Sequence, residues 1–375
     1  MRFSPEQDHA LVEVDRWLTA GDRQIFRLFG YAGTGKTTLA RHLAEGVDGD
    51  VLFAAFTGKA AQVLRSRGAS KASTIHSLIY RPKGEETVED EETGKTEILP
   101  TFSLNRQSPL TKAALIIIDE CSMVDEELGR DLLSFGTPVL VLGDPGQLPP
   151  ISGGGFFTEH EPDILLEEIH RQALDNPIVE LARQVREGNQ IMVGDYGDTA
   201  QVISKSDVNS ELVLSADQVL VGTNKTRRRY NERLRELKGF EGPIPAAGDK
   251  LVCLRNDPQK GLLNGSLWQV TSAARTVKPH MNVLIRSEDE GIERYSAKVK
   301  LLKAAFEEPE REIPWQIRRR HDDFDYGYAL TVHKAQGSQW DKVVLFDESY
   351  AFRENRDRWL YTAITRAAES LTIVK

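Results

Sequence analysis

Residues 30–37, with the sequence GYAGTGKT, have the types and spacing that bind a chain of phosphates. They match the P-loop pattern G-x-x-x-x-G-K-T at every fixed position. The glycines let backbone N–H groups curl around phosphate oxygens, and the N-terminus of a following helix adds partial positive charge. We expect Lys36 to reach the β- and γ-phosphates and Thr37 to ligate Mg²⁺, so the predicted cofactors are ATP and Mg²⁺. The predicted nucleotide-binding residues of this loop are Gly30, Gly33, Thr34, Gly35, Lys36, Thr37 and Thr38.

Asp119 and Glu120 supply the carboxylates that a P-loop requires from a neighbouring strand. They follow the apolar run 115–118, which is typical of a strand buried on both faces. Ligands of open parallel sheets bind at the carboxyl ends of such strands. We expect Asp119 to hold Mg²⁺ and Glu120 to polarise the attacking water. The alternative interpretation of the pair is a solvated turn.

Three further side chains are candidates for contact with the γ-phosphate. Gln147 follows the apolar run 139–142 in GDPGQLPP, and its amide can both donate to a phosphate and accept from a water. Arg171 lies in LLEEIHRQ, and Arg366 lies in RWLYTAITRA on an expected amphipathic helix. An arginine neutralises the charge that develops on a transferring phosphoryl group. Either arginine taken alone is more often the partner of a surface ion pair.

The elements that must position these residues alternate between strand and helix. Residues 25–29 predict a short strand before the loop, and the apolar spacing of 38–45 predicts a helix after it. Further strand-like runs occupy 51–56, 219–221 and 342–346. This alternation predicts an α/β fold with parallel sheets covered by helices.

Bulk composition limits the class of protein. With 375 residues the chain is too long for one ordinary core, and it contains no apolar run that would span a membrane. Its two cysteines provide neither a disulfide framework nor a zinc site, which favours a cytoplasmic location and small core roles for both. The net charge is −9, but seven acidic residues and one lysine between Glu85 and Glu97 account for most of it. Basic clusters at 227–229 and 318–320 leave a nucleic-acid partner open.

The order of short motifs resembles the superfamily 1 DNA helicases, in particular the RecD-like and Dda-like group that moves 5′ to 3′. The resemblance covers nearly the whole chain, and it rests on the ordered set of blocks SPEQ, GYAGTGKTT, AFTGKAA, STIHSL, IIIDECSM, GDPGQLPP, EIHRQ, VLVGTNKTRRRYN, GLLNGSLWQV, YALTVHKAQGSQWD and YTAITRA. It implies that Gln7 reads the adenine edge and that Gly337 and Gln339 face the nucleotide. It also implies a set of DNA-contacting residues: Thr57, Lys59, His76, Phe102, Asn264, Thr331, His333 and Ser338. Without the resemblance, His333 is more often a structural histidine.

The resemblance also implies how the chain is divided. Residues 1–80 and 111–165 are expected to form a first RecA-like domain, and 166–240 and 321–375 a second. The insertion 81–110 is expected to be a β-hairpin pin with Phe102 at its far end, although its acidic composition also allows a disordered loop. The insertion 241–320 is expected to be a small β-barrel, with Trp268 in its core.

The predicted function is that of an ATP hydrolase, a DNA helicase that translocates on single-stranded DNA and opens duplexes as its two RecA-like domains close. Its expected partners are single-stranded DNA and single/double-strand junctions, with single-strand-binding, replication and recombination proteins as candidates, and it is expected to work as a monomer. Two alternatives stay open at this point. One is a translocase that displaces proteins with little unwinding, and the other is a P-loop switch ATPase that nucleic acid does not drive. An RNA motor shares the same backbone contacts.

Overall fold

The computed structural model describes residues 3–89, 96–149, 155–168, 176–257, 259–272, 275–277, 279–288, 296–308 and 313–375. None of the helices in these ranges is both long enough and apolar enough to cross a membrane. Cys121 and Cys253 are buried free thiols, each within an apolar cluster, which confirms their prediction as core residues.

The N-terminal part of the chain builds a parallel sheet with helices on both faces. Its elements are α1 (Pro5–Ala20), β1 (Ile25–Gly30), α2 (Lys36–Gly46), β2 (Val51–Ala55), α3 (Gly58–Ser66), β3 (Ser73–Thr74), α4 (Ile75–Ile79), β4 (Tyr80–Glu89), β5 (Thr96–Leu104), β6 (Leu115–Asp119), α5 (Glu126–Leu133), β7 (Val139–Gly143) and β8 (Ile164–Leu166). The strand order is β3-β2-β6-β7-β1-β8, and every neighbouring pair is parallel. β1, β7 and β6 therefore end side by side, which brings their polar carboxyl ends together.

Alternation along β6 explains why its sequence is a continuous apolar run. Leu115 and Ile117 pack on one face of the sheet with α1 and α2, whereas Ile116 and Ile118 pack on the other with α4 and α5. Successive side chains of a strand point to opposite faces, so a strand covered on both sides must be apolar throughout.

A second, mostly parallel sheet contains elements from two separate stretches of the chain. The first stretch contributes α6 (Pro177–Arg186), β9 (Gly194–Tyr196), β10 (Ala200–Ile203), α7 (Ser210–Ser215), β11 (Gln218–Val221) and α8 (Asn224–Leu237). The C-terminal stretch contributes three more strands, β18 (Ala329–Thr331), β19 (Trp340–Phe346) and β20 (Ala367–Val374). The strand order is β18-β11-β19-β20-β10-β9, in which only the β10–β9 pair is antiparallel.

An antiparallel sheet is inserted between these two stretches. It includes β12 (Lys250–Cys253), β13 (Leu267–Val270), β14 (Arg275–Val277), β15 (His280–Ser287), β16 (Ser296–Leu302), α9 (Ala304–Glu307), α10 (Trp315–Arg318) and β17 (Phe324–Tyr326). Trp268 is fully buried in its core, as predicted. β17 pairs with β12, so this sheet reaches past residue 320, where we expected the insertion to end. Asp322, which lies just before β17, forms two hydrogen bonds with the backbone of Lys300 in β16, while closure into a barrel stays a prediction.

The C-terminal stretch completes the second sheet with β18 (Ala329–Thr331), α11 (Val332–Ala335), β19 (Trp340–Phe346), α12 (Arg356–Ile364) and β20 (Ala367–Val374). Short 3₁₀ turns occupy Pro109–Lys112, Cys121–Met123, Lys205–Asp207 and Ser349–Asn355. α12 is buried on every side from Trp359 to Ile364 because it packs between α6 and the sheet.

The insertion that interrupts the first sheet contains an antiparallel hairpin of β4 and β5. The pairing runs from Tyr80 with Leu104 to Glu89 with Thr96, while the expected turn at residues 93–95 lies outside the described residues. Phe102 pairs with Pro82, close to the base of the hairpin. Our placement of Phe102 at the far end was wrong, because its register fixes it two residues from the β5 terminus. α10 of the inserted sheet lies against β5.

Candidate nucleotide site and nucleic-acid interface

The P-loop joins β1 to α2 and has the backbone conformation that its glycines permit. Gly33 and Gly35 have φ values of +83° and +79°, a region that L-residues avoid. Lys36 Nζ donates to the carbonyl oxygens of Gly30 and Tyr31 at 2.6 and 2.9 Å. The loop therefore holds its lysine over its own turn, at the position from which an ammonium group reaches phosphates.

The predicted magnesium ligands are in direct contact. Thr37 Oγ1 donates to Asp119 Oδ2 at 2.9 Å, which places a hydroxyl and a carboxylate oxygen side by side at the end of β6. Burial and the neighbouring Glu120 raise the pKa of Asp119 above its ordinary value. Hard oxygen ligands of this kind fit Mg²⁺, which takes one or two protein groups besides water and phosphate. The residues present therefore fit the predicted metal.

Glu120 has a backbone conformation that is uncommon for a residue other than glycine. Its φ of 54° and ψ of 48° lie in the left-handed region, which costs a non-glycine residue energy. Such strain persists where the surrounding structure enforces it, and it concentrates at active sites. The turn directs Glu120 into the cavity that Lys36 and Thr37 line.

Gln147 lies beyond the end of β7 and is buried. Within the described part of the chain, no donor bonds its Oε1 atom, although that atom has no solvent contact. A buried amide oxygen without a donor is costly unless a water or ligand satisfies it. This agrees with the predicted role of accepting a hydrogen bond from a water beside the γ-phosphate.

Arg366 reaches the same cavity from the second sheet. It lies after the end of α12, immediately before β20, and not on an amphipathic helix as we expected. The small and apolar residues near Arg366 suggested one buried face of a helix, whereas α12 is buried on all sides from Trp359 to Ile364. Its guanidinium donates to the carbonyl oxygens of Thr362 and Ser338, both at 3.1 Å. The cavity of about 300 Å³ is lined by Ala32, Gly33, Gly35, Lys36, Thr37, Thr38, Arg67, Asp119, Glu120, Leu142, Gly143, Asp144, Gln147, Thr365 and Arg366.

The segment after α11 connects the two sheets at this cavity. Gly337 has a φ of +75°, and a Cβ atom there would lie 2.9 Å from Ala60 Cβ of α3. Gln336 Nε2 donates to the carbonyl oxygen of Leu148 at 3.1 Å. Gln339 and Ser338 line a smaller cavity beside Thr37 and Arg366. The carbonyl group of Ser338 accepts a hydrogen bond from Arg366, while its contact with DNA stays a prediction.

Gln7 joins the P-loop to the start of α1 through two hydrogen bonds. Its Nε2 donates to the carbonyl oxygen of Thr34 at 2.9 Å, and its Oε1 accepts from Ser4 N in the capping box of α1. Recognition of adenine by this residue stays a prediction. Arg171 lies outside the described residues.

Two residues that the sequence analysis did not identify contact the P-loop from the second sheet. Arg186 of α6 lies with its guanidinium carbon 3.5 Å from the ring centroid of Tyr31. Tyr361 of α12 hydrogen-bonds the loop at Ala32 N, 2.9 Å away. Only the position of Tyr361 within YTAITRA could have drawn attention to it.

Among the predicted DNA contacts, Thr57 and Thr331 have the same local structure in the two sheets. Thr57 lies after β2 and caps α3 by accepting from Ala60 N, and Thr331 ends β18 and caps α11 by accepting from Lys334 N. β18 is an outer strand of its sheet, and β2 is next to the outer strand of its own. Thr74 and Thr223, which we did not predict, cap α4 and α8 in the equivalent way. Four threonine-capped helix starts therefore lie at the carboxyl ends of β2, β3, β11 and β18. The shared strand-Thr-helix order was the available signal.

His76 belongs to a row of rings that leads to the hairpin. Its ring centroid lies 5.7 Å from that of Phe56 and 5.8 Å from that of Tyr80. Phe102, which is exposed, continues the row at 6.2 Å from Tyr80. Desolvation lowers the pKa of His76. The row offers flat surfaces of the type on which unpaired bases stack.

His333 is half-buried and packs on Phe352 at 5.5 Å between centroids, and Phe352 stacks on Trp359. Burial lowers the pKa of His333. These contacts fit the structural alternative for His333, while a DNA contact stays a prediction.

Lys59 and Asn264 lie near the junction of the first sheet with the inserted one. Lys59 lines a separate cavity of about 620 Å³ together with Gln339 and Tyr328. Asn264 is exposed in the loop between β12 and β13, where Leu263 and Asn256 pack against Gly58.

The basic clusters are partly neutralised in the fold. Arg227 is buried and forms a 2.7 Å ion pair with Asp325, so it supports the contact between α8 and β17. Arg318 pairs with Asp323 at 2.8 Å. Arg227 is therefore a structural residue, whereas Arg318 forms an ion pair at the surface, and both pairs reduce the positive charge that the sequence clusters suggest.

Comparison with known families and proteins identifies related chains. A family model described as an AAA domain matches residues 2–207, and one described as a UvrD-like helicase C-terminal domain matches residues 326–374. The ATP-dependent RecD2 DNA helicase of Deinococcus radiodurans is 30% identical over 382 residues, covering 93% of this chain and 46% of that protein. The conjugal transfer protein TraA of Rhizobium radiobacter is 26% identical, covering 99% of this chain and 32% of that protein. The chain thus spans less than half the length of these relatives.

Solved structures show the same fold. The Pif1 helicase from Candida albicans superposes with a TM-score of 0.58 at 18% identity, covering all of this chain and 94% of that one. Bacteroides Pif1 bound to single-stranded DNA superposes with a TM-score of 0.55 at 18% identity, covering all of this chain and 92% of that one.

Proposed function

The chain belongs to the AAA-domain family, and we propose that it is a superfamily 1 helicase of the RecD and Pif1 type, an ATP-driven motor on single-stranded DNA. ATP and Mg²⁺ bind at the P-loop, and hydrolysis drives opening and closing of the two RecA-like domains. The proposed direction is 5′ to 3′, and the proposed outcome is the separation of duplex strands. The related proteins support the helicase class, whereas the 5′ to 3′ polarity and the unwinding of duplexes are proposals.

The observation that carries the proposal is the composition of the 300 Å³ cavity. Its phosphate-binding loop, metal ligands and Gln147 come from the first sheet, whereas Arg366 comes from the second. A nucleotide held between two bodies converts binding and hydrolysis into relative movement of those bodies. A kinase or a simple switch protein needs no such second body. When bound, Mg²⁺ would neutralise charge on the β- and γ-phosphates, and Thr37 and Asp119 would hold it.

The four threonine-capped helix starts support a strand-binding surface that both sheets share. Helix N-termini carry backbone N–H groups and partial positive charge, which suit phosphate oxygens. The longer helices α3 and α8 provide one such terminus on each sheet, at Thr57 and Thr223. Contacts of this kind bind the backbone and carry little sequence specificity. When the cavity between the sheets opens or closes, the distance between the two termini changes, which would move one domain along the strand.

The hairpin is the proposed element for strand separation. It extends from α4, which carries His76, and α10 of the inserted sheet supports β5. The exposed ring of Phe102 continues the aromatic row at the hairpin base. We expect a base pair that reaches this point to be blocked by the hairpin, while the bases of one strand stack on the aromatic row.

The proposal is tested by strand separation on partial duplexes that carry either a 5′ or a 3′ single-stranded tail. We expect unwinding of the 5′-tailed substrate alone. In a matched variant, residues 87–98 are replaced by Asn-Gly, a two-residue turn that can close the pair formed by Glu86 and Leu99. This variant should retain DNA-stimulated ATP hydrolysis and lose unwinding. Unwinding by the variant at the wild-type rate would contradict the role of the hairpin, and a preference for 3′ tails would contradict the polarity.

A further inference from the structure

A smaller cavity of about 130 Å³ adjoins the nucleotide cavity. The two cavities share the metal ligands, the carboxylate assigned to the attacking water and the arginine of the second sheet, namely Thr37, Asp119, Glu120 and Arg366. By contrast, Lys36 and the P-loop glycines Gly33 and Gly35 line the nucleotide cavity but not the smaller one. The smaller cavity therefore lies beside the position of the γ-phosphate, and away from the loop that binds the other phosphates.

The walls of the smaller cavity come from both sheets. Ala60 and Val63 of α3 line it from the first sheet, and Gly337 and Gln339 line it from the second. Ala60 and Gly337 approach closely, since a Cβ atom added to Gly337 would lie 2.9 Å from Ala60 Cβ. The width of this cavity therefore depends on the separation of the two sheets.

The smaller cavity also adjoins the cavity of about 620 Å³ that Lys59 lines, called the larger cavity below. These two cavities share Val63, Arg67 and Gln339. Arg67 lines the nucleotide cavity as well, so its side chain borders all three spaces. The larger cavity opens to solvent, because Lys238 on its border is exposed. A continuous series of spaces thus leads from the γ-phosphate position to the surface.

Arg67 supplies a positive charge along this series. Its guanidinium is exposed, and within the described part of the chain it forms no hydrogen bond or ion pair. The guanidinium of Arg65, two residues earlier, instead donates to the carbonyl oxygen of Ala72 at 2.7 Å. A guanidinium group suits phosphate oxygens through its fork of donors, so Arg67 is the one of the two that can bind a passing anion.

Hydrolysis of ATP leaves two products in the nucleotide cavity. ADP keeps the phosphates that the P-loop binds, so it blocks the path by which ATP entered, and inorganic phosphate is left beside Glu120. We propose that inorganic phosphate leaves through the smaller cavity and that Arg67 binds it on its way to the larger one. This inference rests on the proposed ATP hydrolysis and adds a product route and the residue that serves it. Because both sheets wall the route, their separation widens it, which couples phosphate release to opening of the domains.

Removal of the Arg67 charge should slow phosphate release without slowing the cleavage of ATP. A hydrogen bond to a charged group corresponds to about a 10- to 100-fold change in an equilibrium or a rate. Water screens an exposed charge, so we expect a value near the lower limit, about 10-fold slower release in Arg67→Gln. Arg67→Lys keeps the positive charge and should release phosphate at a rate between those of Arg67→Gln and the wild type.

Two further variants separate the route from a general effect of charge. Lys71 is exposed, lies four residues after Arg67 and lines none of the three cavities, so Lys71→Gln is the matched control and should behave as the wild type. Val63 is partly buried where the smaller and larger cavities meet. Val63→Phe leaves every charge in place and adds a ring that should obstruct the route, so it should also slow release.

The experiment mixes an excess of each protein with ATP, Mg²⁺ and single-stranded DNA. Chemical quench measures cleavage of ATP, and a fluorescent phosphate sensor measures inorganic phosphate in solution. The inference predicts wild-type cleavage in Arg67→Gln and Val63→Phe, followed by phosphate release that lags behind cleavage more than in the wild type and in Lys71→Gln.

Three results would overturn the inference. The first is a wild-type interval between cleavage and release in Arg67→Gln or in Val63→Phe. The second is slower cleavage in Arg67→Gln with release that keeps pace, because the arginine would then act on the γ-phosphate of ATP. The third is an equal lag in Lys71→Gln. A wild-type protein that cleaves no ATP would instead contradict the proposed function itself, so the two failures are distinguishable.

Discussion

Replacement of Gly337 by alanine should uncouple the two sheets without unfolding the protein. The new Cβ would lie 2.9 Å from Ala60 Cβ and 3.4 Å from Thr57 Oγ1, across the contact between the segment after α11 and α3. Carbon atoms in contact prefer about 3.5–4.0 Å, so the two sheets must separate by several tenths of an ångström. Overpacking of this kind costs about 1–3 kcal/mol, and the left-handed backbone adds about 1–2 kcal/mol.

Gly188→Ala isolates the backbone contribution. Gly188 has a φ of +79°, and a Cβ atom added there would meet no described atom within 4 Å, so alanine causes strain without a clash. Because opening of the cavity relieves the Gly337 clash, we expect similar thermal stabilities for the two variants. The turnover of ATP with single-stranded DNA should fall about 10-fold or more in Gly337→Ala, since a penalty of about 1.4 kcal/mol on the closed state is a factor of ten.

The assay is steady-state ATP hydrolysis at saturating single-stranded DNA, together with thermal unfolding of both variants. Wild-type turnover in Gly337→Ala would refute the reasoning. An equal loss of turnover in Gly188→Ala would refute it as well, because the effect would then come from backbone strain and not from the contact with α3.

Three further outcomes are expected. Glu120→Gln and Glu120→Gly should both reduce ATP hydrolysis by about 10²–10⁴-fold. The glycine variant should be about 1 kcal/mol more stable to urea than the glutamine variant, because glycine relieves the strain of the left-handed backbone at φ 54°. Equal stability of the two variants would contradict the strain. Arg366→Ala should lower kcat by about 10³-fold with little change in nucleotide Kd, because the arginine is proposed to act on charge that develops only in the transition state. A loss confined to nucleotide affinity would contradict that role. Burial lowers the pKa of His333 below the ordinary 6.5, so as pH falls the unfolded protein protonates this side chain at a higher pH than the folded protein does. The free energy of unfolding should therefore fall as pH drops below about 6.5. Urea unfolding at pH 7.5 and 5.5 should show a smaller decrease in His333→Gln than in the wild type, and an identical decrease would contradict the assignment.

Features that depend on neighbouring residues could be predicted from the sequence. The P-loop and Asp119 each follow an apolar strand directly, and parallel strands end at the same edge, so the pattern specifies both the element and the location. Trp268 was assigned to a core because its strand alternates in polarity. These predictions needed no knowledge of how the sheets dock.

Features created by docking or by register could not be predicted in the same way. Tyr361 and Ala32 are 329 residues apart, and their contact exists only because α12 meets the loops that follow β1 and β7 of the first sheet. The position of Phe102 depends on its pairing with Pro82, which the acidic composition around it does not specify. The hydrogen bond from Arg366 to the carbonyl oxygen of Ser338 joins residues 28 positions apart, and local sequence does not specify it.

The most direct test of the central claim is the rate of ATP hydrolysis with and without single-stranded DNA. If a shared strand-binding surface is coupled to the cavity between the sheets, single-stranded DNA should raise the rate of the wild type by about 10-fold or more. Lys36→Ala should abolish hydrolysis in both conditions, which assigns the activity to this P-loop. A wild-type rate that is the same with and without DNA would contradict the motor and support a P-loop ATPase that nucleic acid does not drive.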